Sequence, residues 1–398
     1  MQSSQQAIPP SVRAPMWLLV LVTLSGTMAM HIFVPALPLA GADLHASTAG
    51  MQQTITYYVL GLAFGQLIYG PVSDTIGRRP TLLIGLALYL CASILALFAT
   101  SLTWLLFARM AQALGGAAGI TLGRSIVRDT AAPDRVTSEL ALLNLLTLVG
   151  PGLSPVVGSF LADQFGWRAI YVFLVAIAGV MVYCAWRLLP ETNPERRSLQ
   201  VFTIARDYGR LLRNRRYLGF MVGGSCSTTA LYPYLATSPY IVHDQLGLPV
   251  WQIGWFATVT IVGASVGTMI TKRLAGQLRP EVFLNAGAGL SLSMASALLL
   301  VQLGGWLTAP LLIAITFMLT VGAGLASPAA LSRSISAVPG LTGAAAGLYG
   351  CGQMAIGALG TRLVGFGSTP ATACAIVQIA ITGAALCAYR VAARADTD

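Results

Sequence analysis

The chain has 398 residues, 56% hydrophobic and 9% charged, with a net charge of +10 and a mean hydropathy of +0.75. A globular domain carries about 25% charged residues, so the composition excludes an ordinary water-soluble fold and implies a chain that crosses a membrane repeatedly. The positive charge follows from basic loops and gives no reason to expect a nucleic-acid partner.

A hydrocarbon core needs about 20 apolar residues per helix, and about twelve such stretches follow one another: 16–38, 50–71, 81–100, 102–123, 138–162, 168–188, 217–241, 252–271, 282–303, 307–329, 342–363 and 370–390. Backbone polar groups in lipid must be satisfied within each segment, so these are helices. The first span contains TMAMHIFVPALP, residues 27–38, and no Lys, Arg, Asp or Glu from Ala14 to Ala42. His31 is therefore its one strongly polar side chain. Ala40-Gly41-Ala42 resembles a cleavage site, but the apolar run is too long for a secretory signal and holds two prolines.

The second span ends in GPVSDTIGRRP, Gly70 to Pro80. Pro71 and Gly77 are expected to shape a tight turn there, with Asp74, Arg78 and Arg79 as a charge cluster at the membrane face. The fourth span carries Arg109 and Gln112 in ARMAQALGG and ends in RSIVRD, while the fifth carries VGPGLSPVVG, Val149 to Gly158. A proline inside a helix removes one hydrogen bond and bends it, so Pro151 and Pro155 are expected to make the fifth span a flexing element.

Residues 189–217 form the longest polar stretch and divide the chain into an N-terminal half (1–190), a linker (191–216) and a C-terminal half (217–398). Residues 202–216 suit either a basic helix on an anionic leaflet or a solvated linker. Small residues four apart recur at Gly61/Gly65, Gly150/Ser154/Gly158, Gly263/Gly267 and Gly343/Gly347, in the second, fifth, eighth and eleventh spans. Such pairs let helices approach closely in lipid, and their period of three matches inverted three-helix repeats. The cysteines, Cys91, Cys184, Cys226, Cys351, Cys374 and Cys387, read as apolar fillers without metal spacing.

All of the 23 basic residues except Arg109, Arg168 and Arg362 fall on one side if both termini are cytoplasmic, which is the orientation the positive-inside rule selects. Ionisable groups within a membrane are expensive and face the bundle interior, which makes His31 and Arg109 the leading functional residues. Each has a structural reading as well: a packed neutral imidazole, and an anchor bonded to backbone carbonyls. Gln53, Tyr57, Gln112, Asn144, Tyr232, Tyr234, Tyr349 and Gln353 supply amides and aromatics for a mixed cavity. Every Asp and Glu sits in a loop or near a helix end, so His31, with a reference pKa of about 6.5, is the candidate proton carrier. No phosphate loop or catalytic set is present, so the chain does not read as an enzyme, and no cofactor or metal is expected.

The 70–80 stretch resembles the signature loop of the major facilitator superfamily, with Thr75 where a basic residue usually stands. With the Arg-x-x-Gln of the fourth span, the Gly/Pro pattern Gly150, Pro151, Pro155 and Gly158, and PALP, GWRAIYVF, LPET and SPYI, the chain resembles the Bcr/CflA drug-resistance subfamily. The resemblance implies an all-α fold of twelve transmembrane helices in two six-helix halves and a monomeric drug:proton antiporter of the bacterial inner membrane. It also implies a conformational latch of Gly70, Asp74, Gly77, Arg78 and Arg79 that joins the halves in one state. His31 stands where that subfamily normally has Asp, so lipophilic cations are expected to be disfavoured against neutral or anionic compounds. A nutrient or metabolite transporter and a membrane sensor on the same scaffold are the alternatives.

Overall fold

The computed structural model describes residues 14–131, 135–147, 149–193, 201–338, 341–366 and 369–394. Seven helices make the first half: α1 Met16–Asp43, α2 Thr48–Ile76, α3 Arg78–Leu97, α4 Leu102–Thr130, α5 Val136–Thr147, α6 Val149–Phe165 and α7 Arg168–Leu188. An amphipathic helix, α8 Val201–Arg213, leads into the second half: α9 Arg215–Thr229, α10 Leu231–Tyr240, α11 Val250–Leu274, α12 Pro280–Leu303, α13 Ala309–Ser336, α14 Thr342–Leu363 and α15 Pro370–Arg394. Among the described residues, nine helices are individually long and apolar enough to cross a membrane. The seventh span is carried by two consecutive helices, α9 and α10, and the fifth is described as α5 and α6, between which Leu148 lies outside the described residues.

The helices are apolar on all sides, as membrane helices are. Their outward faces carry large hydrophobic side chains such as Phe64, Phe107, Val180, Trp255 and Met269. Ends are fixed locally: Ser47 accepts from the Gly50 amide (3.1 Å) and Asn214 from the Tyr217 amide (2.8 Å). Each such cap contributes about 1 kcal/mol.

Glycines set the packing. Gly61 and Gly65 of α2 lie against Met110, Ala113 and Ala117 of α4, and Gly85 of α3 faces Gly115 of the same helix. The second half repeats this: Gly263 and Gly267 of α11 lie against Phe317 and Val321 of α13, and Gly287 of α12 faces Gly322. Between the halves, Gly254 of α11 presses on the Pro155 carbonyl of α6. The eleventh-span pair departs from expectation. Gly347 meets only the Tyr208 hydroxyl, the surroundings of Gly343 lie outside the described residues, and Gly350 instead makes the contact with α2, at Gln66.

Two further expectations change. Residues 70–76 are not a loop: α2 continues through Pro71 to Ile76, and the turn is made by Gly77 alone, at φ 106°. A proline removes the bond its own nitrogen would have donated and crowds the carbonyl four residues earlier, yet the helix continues for five residues beyond it. The linker helix α8 is also docked. Leu211 is fully buried in a cluster with Tyr217, Met221, Ala345 and Tyr349, a contact worth about 2 kcal/mol. Leu212 remains exposed; the side chains of Phe202 and Ala205 lie outside the described residues.

Candidate functional site

Arg109 is fully buried in the first half. Its Nη1 donates to the Ala29 carbonyl (2.9 Å) and to Gln112 Oε1 (2.8 Å), and Gln112 Nε2 donates onward to Ser93 Oγ (2.8 Å). Its guanidinium carbon lies 4.1 Å from the Tyr58 ring centroid and 5.1 Å from that of Phe33. Phe33 in turn packs on Tyr171 and Trp167, at centroid distances of 5.3 and 6.4 Å. A buried cation without a carboxylate is costly, and here aromatic faces and neutral acceptors compensate it in part. Among the described residues the Nε and Nη2 groups meet no acceptor in full hydrogen-bond geometry, and the Tyr171 hydroxyl is the polar group beside the guanidinium.

His31 is buried too, and its Nδ1–H donates to the Thr27 carbonyl (2.7 Å) one turn earlier. That bond leaves Nε2 as the acceptor of the neutral ring, the nitrogen at which a proton is taken up. The structure does not join His31 to Arg109. Arg109 touches α1 at Ala29 and Phe33, which share a face, and at about 100° per residue position 31 lies about 200° from either.

The other expected residues divide into groups. Gln112 belongs to the Arg109 network. Gln53 and Tyr57 are half-buried one turn apart on α2, whereas their neighbours Gln52 and Tyr58 point inward. Tyr232 reaches α14, with its hydroxyl 3.7 Å from Met354 Sδ and its ring against Gly357, one turn from Gln353. Tyr349 lies over Gly224, near the Thr228–Ser327 hydroxyl pair. Tyr234 is not with them: it faces Thr316 and Cys374 inside the second half. Asn144 is on α5, and its side chain lies outside the described residues.

At the end of the bundle that carries Arg78 and Arg79, here the basic end, Arg78 bonds Asp74 (2.6 Å) and Asp129 (2.8 Å). Glu191 accepts from the backbone amides of Arg78 (2.9 Å) and Arg79 (3.3 Å), and Arg79 Nη2 donates to the Trp186 carbonyl (2.8 Å). A Cβ at Gly77 would strike the Glu191 carboxylate, so both the positive φ and the close approach require glycine. These partners all belong to the first half. Gly70 has open space around it and no steric reason to be glycine.

The Gly/Pro pattern of α6 touches both halves. Gly150 meets Leu24 and Gly158 meets the Ile32 carbonyl of α1, while the Gly152 carbonyl accepts from Thr258 of α11 (2.7 Å). Further contacts between the halves, Thr56 with Thr361 (2.8 Å) and Gly365 with Ala49, lie toward the end opposite the basic one. There Asp43 also bonds Arg168 (2.6 Å) and Trp167 Nε1 (3.1 Å). Sequence reasoning missed Phe33, Tyr58, Ser93, Tyr171 and Glu191. The first four read as apolar or filler residues, and only the place of Glu191 within LPET, residues 189–192, hinted at a role.

Comparison with known proteins gives the family. The model of the Major Facilitator Superfamily matches residues 19–361. The chain is 25% identical over 341 residues to the "Bicyclomycin resistance protein homolog" of Haemophilus influenzae, and 29% identical over 344 residues to "Multidrug resistance protein D" of Escherichia coli, covering 84% of each chain in both cases. The crystal structure of a D-xylose-proton symporter has the same fold, with a TM-score of 0.70 at 13% identity over 92% of this chain and 95% of that one. The chain therefore belongs to the Major Facilitator Superfamily, a family of membrane transporters and not of enzymes, and the relatives named above carry drug-resistance names.

Proposed function

We propose that the protein is a secondary exporter of small drug-like compounds in the bacterial inner membrane, driven by protons. The halves rock about the α2–α14 and α6–α11 contacts, with both termini and the basic end on the cytoplasmic side. The observation that carries this is the placement of the hydrogen bonds between the halves, Thr56 with Thr361 and Thr258 with the Gly152 carbonyl, which lie away from the basic end, while Gly350 on Gln66 is the contact nearer to it; on this reading the site is reached from the basic end. The names of two relatives, resistance proteins for bicyclomycin and for multiple drugs, support export of such compounds.

Arg109 is the buried cation of the first half, and no carboxylate lies mid-span. A lipophilic cation entering there meets no opposite charge, so neutral, zwitterionic and anionic compounds are favoured. His31, through Nε2, is the proton carrier. The latch acts in the opposite state, when the basic ends close.

Export by proteoliposomes, with and without an imposed pH gradient, tests this with a panel of neutral, anionic and quaternary ammonium compounds. Gradient-dependent export of neutral or anionic members is expected, and His31→Gln is expected to abolish gradient dependence while keeping substrate binding. Efficient export of the quaternary compound defeats the charge argument. Gradient-driven export at an undiminished rate in His31→Gln makes the imidazole a packing residue, and uptake of a metabolite in place of export favours a nutrient transporter.

A further inference from the structure

The turns that join the second and third spans of each half differ in length and in what fills them: Gly77 alone links α2 to α3, whereas residues 275–279 link α11 to α12. In the first half Tyr69, four residues after Gly65, lays its ring across that glycine and reaches Gly85 with its hydroxyl. The residue four after Gly267 in the second half is Thr271, which donates to the Leu325 carbonyl (2.9 Å) and stands in the wall of a cavity of about 360 Å³. Lys272, Leu278, Phe283, Pro328 and Arg333 also line this cavity.

The charges differ as well. Arg78 of the first half is held by Asp74, Asp129 and Ser73. Among the described residues Arg333 pairs with Glu281, and its Nε is buried without a hydrogen-bond partner. Lys272 and the flanking Arg273 and Arg279 are exposed. Leu278 and Val282, beside the opening, are exposed apolar side chains.

We propose that this cavity binds the phosphate headgroup of an anionic phospholipid from the leaflet at the basic end. Its volume admits a headgroup and not a pair of acyl chains, which lie instead along the exposed apolar surface of Leu278 and Val282. Lys272 and Arg333, which both stand in the cavity wall, supply the positive charge and donors for phosphate oxygens, the pairing that guanidinium geometry favours. The exposed apolar rim selects a lipid over a soluble phosphate.

Native mass spectrometry of the full-length protein, released from micelles containing phosphatidylglycerol and phosphatidylethanolamine, tests the site. The unaltered chain is expected to retain phosphatidylglycerol preferentially. Lys272→Gln is expected to weaken retention about fivefold, the weight of one basic group at an anionic surface. Thr271→Tyr, which fills the cavity as Tyr69 fills the first half, is expected to abolish the preference; should it fail to fold, Lys272→Gln, at an exposed position, decides alone. Undiminished retention in a folded variant overturns the site. Equal retention of the two lipids, or displacement by soluble glycerol phosphate, overturns the anionic-lipid assignment.

Discussion

In the first half α4 carries a guanidinium into the core, whereas α13 of the second half carries a hydroxyl to the same depth. Arg109 lies six residues before Gly115, which faces Gly85; Thr316 lies six before Gly322, which faces Gly287. Around Arg109 are Tyr58, Phe33 and Gln112. Thr316 donates to the Leu312 carbonyl (2.7 Å) with Tyr234 nearby, and the amide of Gln378 bonds the Ala230 carbonyl (3.0 Å). The backbones repeat and the buried chemistry does not. One scaffold thus holds a charged half suited to ion coupling and a neutral half suited to shaping a cavity.

The largest test of that contrast removes the two buried groups in turn. Arg109→Ala is expected to lower stability by about 3 kcal/mol, since it empties a packed aromatic cage, while Thr316→Ala costs about 1 kcal/mol, the net worth of one hydrogen bond. Thermal unfolding of the purified variants in detergent measures both, and equal losses would break the asymmetry.

A second pair tests what the halves share. Gly85→Val and Gly287→Val each drive a side chain into the backbone of the facing helix, and both are expected to cost about 2 kcal/mol or more. A tolerated substitution in one half alone would show that the repeat is not maintained by the same packing.

The smallest change in stability is expected at the basic end. Asp74 is half-exposed, at 49%, and such pairs contribute about 0–1 kcal/mol. Asp74→Asn is therefore expected to leave the unfolding temperature nearly unchanged while reducing transport, because a contact specific to one state alters the balance between states. Glu281→Gln, which lies outside the proposed latch, is expected to leave turnover closer to normal. Transport assays on both variants sharpen the comparison, and unimpaired transport in Asp74→Asn removes the latch.

The spans were legible in the sequence because hydrophobic length is a one-dimensional property. Their ends were less so. Nothing in GPVSDTIGRRP reveals that α2 runs on to Ile76, since continuing past Pro71 depends on helices packed beside it. Arg109 and Gln112 could be named because a charge in an oily run is conspicuous, but Tyr58 and Phe33 could not, because an aromatic in such a run looks like any other. That Gln52 and Tyr58 are buried while Gln53 and Tyr57 are half-buried shows the same limit: which of two neighbours points into the packed interior is set by rotation about the helix axis, which an all-round apolar pattern does not encode. Separating His31 from Arg109 likewise required the register of α1.

The meeting of Gly254 with the Pro155 carbonyl has a mechanical meaning. Two bodies that interlock through long side chains must unmesh before they tilt, and each disengaged side chain adds a step to the barrier. Here a glycine meets a proline's carbonyl with the short Ser159 hydroxyl beside it, and a single Thr258 hydroxyl bonds across to the Gly152 carbonyl. A joint made of such short groups would let the angle between α6 and α11 change with few rotamers to reset.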